Sequence, residues 1–227
     1  MSWLKPIQEQ GFAIIPGILT RRDAAGLLDE FSSMDLPRSR AGVRHAMRLP
    51  AVAAVAQDSR LMGIAQQILG GAAFPFRATL FDKSPMANWL VVWHQDTALP
   101  LLERREAQGW GSWSVKDGVI YAHAPESALR EVLALRLHFD DSVPENGPQR
   151  VLPGTHRLGV LSDEALHDLS TRVTAVDCLV PQGGVLVMRP LIVHASSKSQ
   201  SEDPRRILHI EYAASVGIGD GLALAIA

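Results

Sequence analysis

From Phe74 onward the chain is a succession of short β-rich runs separated by turn residues, at 76–81, 89–93, 119–122, 132–139, 150–152, 173–180, 185–188 and 205–213. Few of the intervals could hold a crossover helix, so repeated βαβ units do not fit. Eight or so short strands after a helical beginning point to a mainly β fold, a sandwich or jelly roll with flanking helices. The opening third reads differently. Residues 11–16 form a short strand ended by a Pro-Gly turn. Thr20 and Asp23 then open a helix with Ala24, Leu27, Leu28 and Phe31 on one face. Asp58 caps a further helix that carries Leu61, Ile64, Ala65 and Ile68 inward and stops at Gly70-Gly71. The expected organisation is one domain over 1–227, with a helical layer at 1–72 and a jelly-roll core at 73–227.

Composition sets the background. Of 227 residues, 47% are hydrophobic and 20% charged, as in ordinary globular proteins, and the formal net charge is -2. Basic residues cluster only at Arg104-Arg105 and Arg205-Arg206, so no nucleic-acid partner is expected. The apolar runs are too short to span a bilayer, and MSWLKPIQEQ lacks the features of a secretory signal. The lone Cys178, in apolar surroundings, reads as a small buried hydrophobe and fits a reducing cytoplasm. Whether the chain is a monomer or a homodimer is left open.

Chemistry concentrates at Val92-Trp-His-Gln-Asp-Thr97. In a strand, successive side chains alternate faces, so His94 and Asp96 share a side and Gln95 points away without an assigned role. One His-x-Asp triplet is weak evidence of a metal site, because chance supplies many. A facial 2-His-1-carboxylate set for non-haem Fe(II) needs a third ligand. His194 is the candidate, at the end of an apolar stretch after the Gly183-Gly184 turn. Eleven residues later comes Arg205, whose planar guanidinium suits a bidentate carboxylate. Alternation puts Arg205, Ile207, His209 and Glu211 on one face and Arg206, Leu208, Ile210 and Tyr212 on the other. Both faces are mixed, so periodicity does not choose between the two arginines.

The segments GFAIIPGIL, WHQD, ENGPQRVLPGTH (145–156) and HASSKSQSEDPRRILHIEYA (194–213) together resemble the phytanoyl-CoA dioxygenase family of Fe(II)/2-oxoglutarate oxygenases, over nearly the whole chain. The resemblance implies a double-stranded β-helix (cupin-like jelly roll) with an N-terminal helical layer. It implies Fe(II) held by His94, Asp96 and His194, with 2-oxoglutarate and O2 as cosubstrates. Arg205 would anchor the distal carboxylate of 2-oxoglutarate, Ser196 would add a hydroxyl contact, and Thr79, Arg136 and Arg44 would be further pocket walls. The implied reaction is hydroxylation of an unactivated C–H bond in a small metabolite, releasing succinate and CO2. Asp96 fills the position that related halogenases leave open for chloride. A cupin-like metalloenzyme that does not use 2-oxoglutarate and a silent binding module of the same fold remain as other readings.

Several residues carry bland expectations. Lys83 reads by default as an exposed strand-end lysine, with a place at the pocket entrance as the alternative, and residues 101–116 read as a long loop. Trp110 and Trp113 either line a pocket or pack that loop. His45, His123, His138, His156, His167 and His209 are not expected to be ligands.

Overall fold

The structure is a computed structural model that describes residues 3–33, 42–85 and 87–227. In chain order its helices and strands are α1 (Leu4–Gln10), β1 (Phe12–Ile15), α2 (Arg21–Ser33), β2 (Gly42–Val43), α3 (Pro50–Ala56), α4 (Ser59–Leu69), β3 (Phe74–Lys83), β4 (Val91–His94), β5 (Ala98–Leu101), β6 (Gly111–Lys116), β7 (Val119–His123), α5 (Glu126–Arg130), β8 (Val132–His138), β9 (Gln149–Val151), α6 (Asp163–Arg172), β10 (Val176–Cys178), β11 (Val185–Met188), β12 (His194–Ser196), β13 (Arg205–Ala213), β14 (Gly217–Gly219) and β15 (Leu222–Ala223).

Two antiparallel sheets make the body of the fold. The larger has the order β1-β11-β8-β13-β3-β2, and the smaller β10-β9-β12-β4. Strands β1 and β2 come from the helical opening third yet join the larger sheet, β1 on β11 and β2 on β3.

Alternation explains how the larger sheet serves two environments. Ala78 and Leu80 of β3, Leu133, Leu135 and Leu137 of β8, and Leu208, Ile210 and Tyr212 of β13 form one continuous core with Ala24, Leu28, Phe31, Leu61, Ile64 and Ala65 of the helices. Burying an aliphatic side chain of this kind contributes about 1.5–3 kcal/mol, so this face holds the helical layer in place. The tie is also polar: Tyr212 Oη donates to the Ala56 carbonyl at 2.9 Å. As expected, Asp58 caps α4, its carboxylate accepting from Arg60 N at 2.9 Å. Thr20 Oγ1 accepts from Asp23 N at 3.1 Å where α2 begins.

The opposite face of the same strands is polar, and cross-strand register sorts it into rows. Because β13 pairs with both β3 and β8, Arg205 lies opposite Lys83, His209 opposite Thr79 and Arg136, and Glu211 opposite Arg77. In the smaller sheet His194 pairs with His94, and Ser196 with Val91 and Gln149.

Residues 101–116 are not one long loop. Their C-terminal part is β6, which pairs with β7 through the two-residue turn Asp117-Gly118, both at positive φ (48° and 80°). Asp-Gly is the residue pair that a type I′ hairpin turn favours. With β5 these strands form a three-stranded sheet. Trp110 is buried there with Leu99, Leu101 and Leu222, its indole donating to Asp220 at 3.0 Å, and Trp113 packs against the same cluster. Cys178 is buried beside Val151, Val180 and Met188, and burial pushes its thiol up to about 12. Among the described residues, no helix is long and apolar enough to cross a membrane.

Candidate metal centre and cosubstrate cavity

The inner faces of the two sheets enclose a cavity of about 290 Å³. Its walls include His94, Asp96, His194, Ser196, Arg205, Thr79, Arg136 and Arg44, all eight residues expected from sequence. His45, Arg77, Phe81, Trp89, Tyr121, Gln149 and His209 also line it, and Trp110 and Trp113 do not.

His94, Asp96 and His194 each present one ligand atom within 4.8 Å of the others. Asp96 Oδ1 lies 3.7 Å from His94 Nε2, and Oδ2 lies 3.4 Å from His194 Nε2. Both imidazoles are oriented by their own strands. His94 Nδ1 donates to the Val92 carbonyl and His194 Nδ1 to the Ile192 carbonyl, each at 2.8 Å. With the proton held on Nδ1, the Nε2 lone pairs face the carboxylate, as a metal requires. Burial pushes His194 down to about 4 despite the attraction of Asp96, so the ring is neutral at ordinary pH. Burial opposes charge on Asp96, but the pull of His194 and His94, then of His209 and Arg77, outweighs it and holds the carboxyl below its usual range. Two imidazole nitrogens and one carboxylate, with the other side open to the cavity, are a donor set that could hold Fe(II).

A second cluster is cationic. Arg205, 4% exposed, is pushed down to about 9 by burial and by Arg136. Its Nε donates to the Asn146 carbonyl at 3.3 Å. Arg136 is pushed down to about 10, mainly by burial. It donates from Nη1 to His209 Nδ1 at 3.2 Å, while its Nε has no protein partner. Arg206 faces the other way and is held by Asp140, with Nε and Nη2 contacts of 2.8 and 2.7 Å. Of the two arginines that alternation left unresolved, Arg205 is the one in the cavity.

Lys83 departs from expectation. It is 1% exposed, and its ammonium donates to Ser196 Oγ at 3.0 Å and to the Ser197 carbonyl at 2.6 Å, beneath the Trp89 ring. Burial, then Arg205 and Arg136, push it down to about 7. The reason is register: Arg77, Thr79, Phe81 and Lys83 occupy every second position of β3, so Lys83 belongs to the inward face. That series was the available signal. A lysine directly opposite an arginine is unfavourable unless an anion separates them.

Gln95, turned away from the cavity, has a clear partner set. Its Nε2 donates to the Gly159 and Leu191 carbonyls at 2.9 and 2.7 Å, and its Oε1 accepts from Leu161 N at 2.9 Å. It binds the segment before α6 to the metal motif. His45 reaches the cavity wall without joining the ligand set; its Nε2 lies 2.9 Å from Tyr121 Oη. His156 lies outside, against Gln8.

Two facing antiparallel sheets around a His-x-Asp and late-His centre define a double-stranded β-helix protein with a candidate facial metal site. The chain belongs to the phytanoyl-CoA dioxygenase (PhyH) family, whose model matches residues 7–207. Among curated relatives, L-proline trans-4-hydroxylase of Streptomyces griseoviridis is 27% identical over 178 residues, covering 67% of this chain and 59% of that protein. Ectoine dioxygenase of Halomonas elongata is 26% identical over 242 residues, covering 89% of this chain and 66% of that protein. The chain thus spans under two thirds of the length of these two relatives. The crystal structure of EctD from S. alaskensis with 2-oxoglutarate and 5-hydroxyectoine superposes with a TM-score of 0.70 at 20% identity, covering 93% of this chain and 74% of that one. At that identity the likeness speaks to the fold.

Proposed function

We propose that this protein is an Fe(II)- and 2-oxoglutarate-dependent dioxygenase that hydroxylates a C–H bond of a small molecule in the cytoplasm. The observation that carries this reading is the pairing of two clusters in one cavity: the His94–Asp96–His194 set and the buried Arg205–Lys83–Ser196 set. Family membership and the small-molecule oxygenases among its relatives support it.

In this reading His94, Asp96 and His194 hold Fe(II), and Arg205, Lys83 and Ser196 bind the distal carboxylate of 2-oxoglutarate. Bound together, the iron and 2-oxoglutarate supply O2 activation and C–H oxidation, with succinate and CO2 as coproducts. The protein's own part is geometry and charge. The Val92 and Ile192 carbonyls hold the two imidazoles in the tautomer that offers Nε2. Arg205 and Lys83 supply positive charge there, and their hydrogen bonds among the described residues go to hydroxyl and carbonyl oxygens. Phe81 and Trp89 add aromatic surface to the cavity wall against Arg136 and Lys83. Thr79 and Arg136 lie on the rows beside His209 and shape the floor.

The test is anaerobic addition of Fe(II) and 2-oxoglutarate to the folded protein. A weak visible charge-transfer band is the expected result, and its absence overturns the reading.

A further inference from the structure

The cavity contains a second group of cations, of which the resemblance to the family used only Arg44, as a pocket wall. Arg44, Arg77, Lys116 and Tyr121 line one part of it, together with His45. Lys116 Nζ lies 5.0 Å from the Tyr121 ring centre and the Arg77 guanidinium 5.8 Å from it. The Tyr121 hydroxyl meets His45 Nε2 at 2.9 Å. His45 itself is held at φ 53°, a left-handed conformation that is unusual for a residue with a side chain.

This group is separate from the one around Arg205. Arg77 and Lys83 share a face of β3 six residues apart, which places them ~20 Å from each other along the strand. The electrostatic neighbours divide the same way. Lys116 is lowered by burial and then by Arg44 and Arg77, whereas Lys83 is lowered by burial and then by Arg205 and Arg136.

Its charge is only partly balanced. Glu211, buried opposite Arg77 in the register, forms an ion pair with it, and Arg77 Nη1 also donates to the Ala98 carbonyl at 2.8 Å. Asp117 and Arg48 lie near His45 at the rim. Among the described residues, Arg44 and Lys116 have no carboxylate ion-pair partner. Two uncompensated cations, a cation-bearing aromatic face and a fixed Arg77 together make a socket for negative charge.

Resting on the oxygenase reading, we infer that the substrate is a small molecule bearing an anionic group, a carboxylate or a phosphate, which docks against Arg44 and Lys116 beside Arg77 and Tyr121. The oxidisable carbon then lies on the part of the molecule that reaches past Arg77 toward Asp96, whose carboxylate senses the Arg77 charge.

The experiment uses four probes of matched shape: cyclohexanecarboxylate, cyclohexyl phosphate, the neutral cyclohexanemethanol and the cationic cyclohexylmethylamine. Affinity is measured by calorimetry on anaerobic protein carrying Fe(II) and 2-oxoglutarate, and again on Zn(II)-loaded protein without 2-oxoglutarate. The expected result is that an anionic probe binds at least about tenfold tighter than the neutral and cationic ones. Whichever anion binds more tightly identifies the group. Arg44→Ala and Lys116→Ala each weaken it about threefold or more, and Lys116→Ala does so without moving 2-oxoglutarate affinity. The double reversal Arg44→Glu/Lys116→Glu shifts preference to the amine. Equal binding of the neutral probe, unchanged anion affinity in the variants, or no anion binding at millimolar concentration overturns the inference. Failure of the oxygenase reading shows separately, as a missing charge-transfer band in protein whose Zn(II) form still selects anions.

Discussion

Lys83 Nζ reaches from the larger sheet to donate to Ser196 Oγ in the smaller one, 3.0 Å away and 113 residues distant in sequence. The contact joins the two sheets at the end of the cavity where Arg205 lies directly across the strand pair. An anion arriving there meets an ammonium, a guanidinium and a hydroxyl already in place.

The affinity for 2-oxoglutarate is therefore expected to depend on pH through Lys83. Its conjugate acid sits at about 7 in the free protein, against 10.5 ordinarily. A carboxylate bound beside it favours the protonated form, so binding above pH 7 requires proton uptake. Affinity falls as pH rises through and above about 7, by at most about tenfold per unit. Lys83→Met weakens binding and removes this dependence. Titration of the charge-transfer band at several pH values is the measurement. The ligand-free protein follows the opposite trend in stability. Between about 7 and 10.5 the folded state holds fewer protons at Lys83 than the unfolded state, so stability from this group rises with pH across that window.

Arg205→Ala removes a buried charge partner of the anion and is expected to cost about 2–4 kcal/mol of 2-oxoglutarate affinity, roughly 30- to 1000-fold. Arg206→Ala breaks the partly exposed pair with Asp140. It leaves 2-oxoglutarate affinity within about threefold and lowers folding stability by about 1 kcal/mol. The reverse ranking would exchange the roles assigned to the two arginines.

Replacement of His94, Asp96 or His194 by Ala leaves two donors of the set. Iron affinity, measured by competition with a chelator, is expected to fall well beyond the roughly 10- to 100-fold loss that follows removal of an outer hydrogen-bond partner. His94 is the most exposed of the three, so its variant is expected to keep its fold best.

How far the sequence reveals these roles depends on what surrounds each residue. His94 and Asp96 are readable as a pair from alternation, although β4 ends at His94 and Asp96 lies just beyond it. Arg205 is not separable from Arg206 by pattern, since the inner face of β13 lines a polar cavity and looks no more apolar than the outer. Lys83 ends its strand, where a lysine ordinarily reaches water; only the every-second-residue series from Arg77 places it inside. The Lys116–Tyr121 hairpin is concealed by the polar composition of residues 101–116, although Asp117-Gly118 was a turn signal. Gln95 is conspicuous in sequence only for pointing away from the metal, and its three backbone partners lie 64 to 96 residues along the chain.

Gln95→Ala strands two carbonyls and one N–H in a buried site. The expected cost is about 2–4 kcal/mol of stability, read as a lower midpoint in denaturant. The His94 and His194 Nδ1 contacts are independent of it, so iron binds the folded fraction unchanged.

Gly147 gives a further test. It lies at φ 65°, and a Cβ there would come within 2.4 Å of the Ser197 carbonyl oxygen, the acceptor for Lys83. Gly147→Ala strains its own backbone and displaces that carbonyl. The expectation is a loss of about 1–3 kcal/mol in stability together with weaker 2-oxoglutarate binding and normal metal content.

Among the described residues, β4 is the outermost strand of its sheet and is bonded on one side only, to β12, through His194 opposite His94 and Ser196 opposite Val91 with a shift between them. A strand so short, with one neighbour and an irregular seam, is a weak margin, and an unguarded margin invites pairing with another chain. An ion gripped by both imidazoles would rivet that margin at the rung where His94 faces His194. In this protein the reacting centre would double as a clasp, and stripping the ion would loosen the sheet's edge before it disturbed the core.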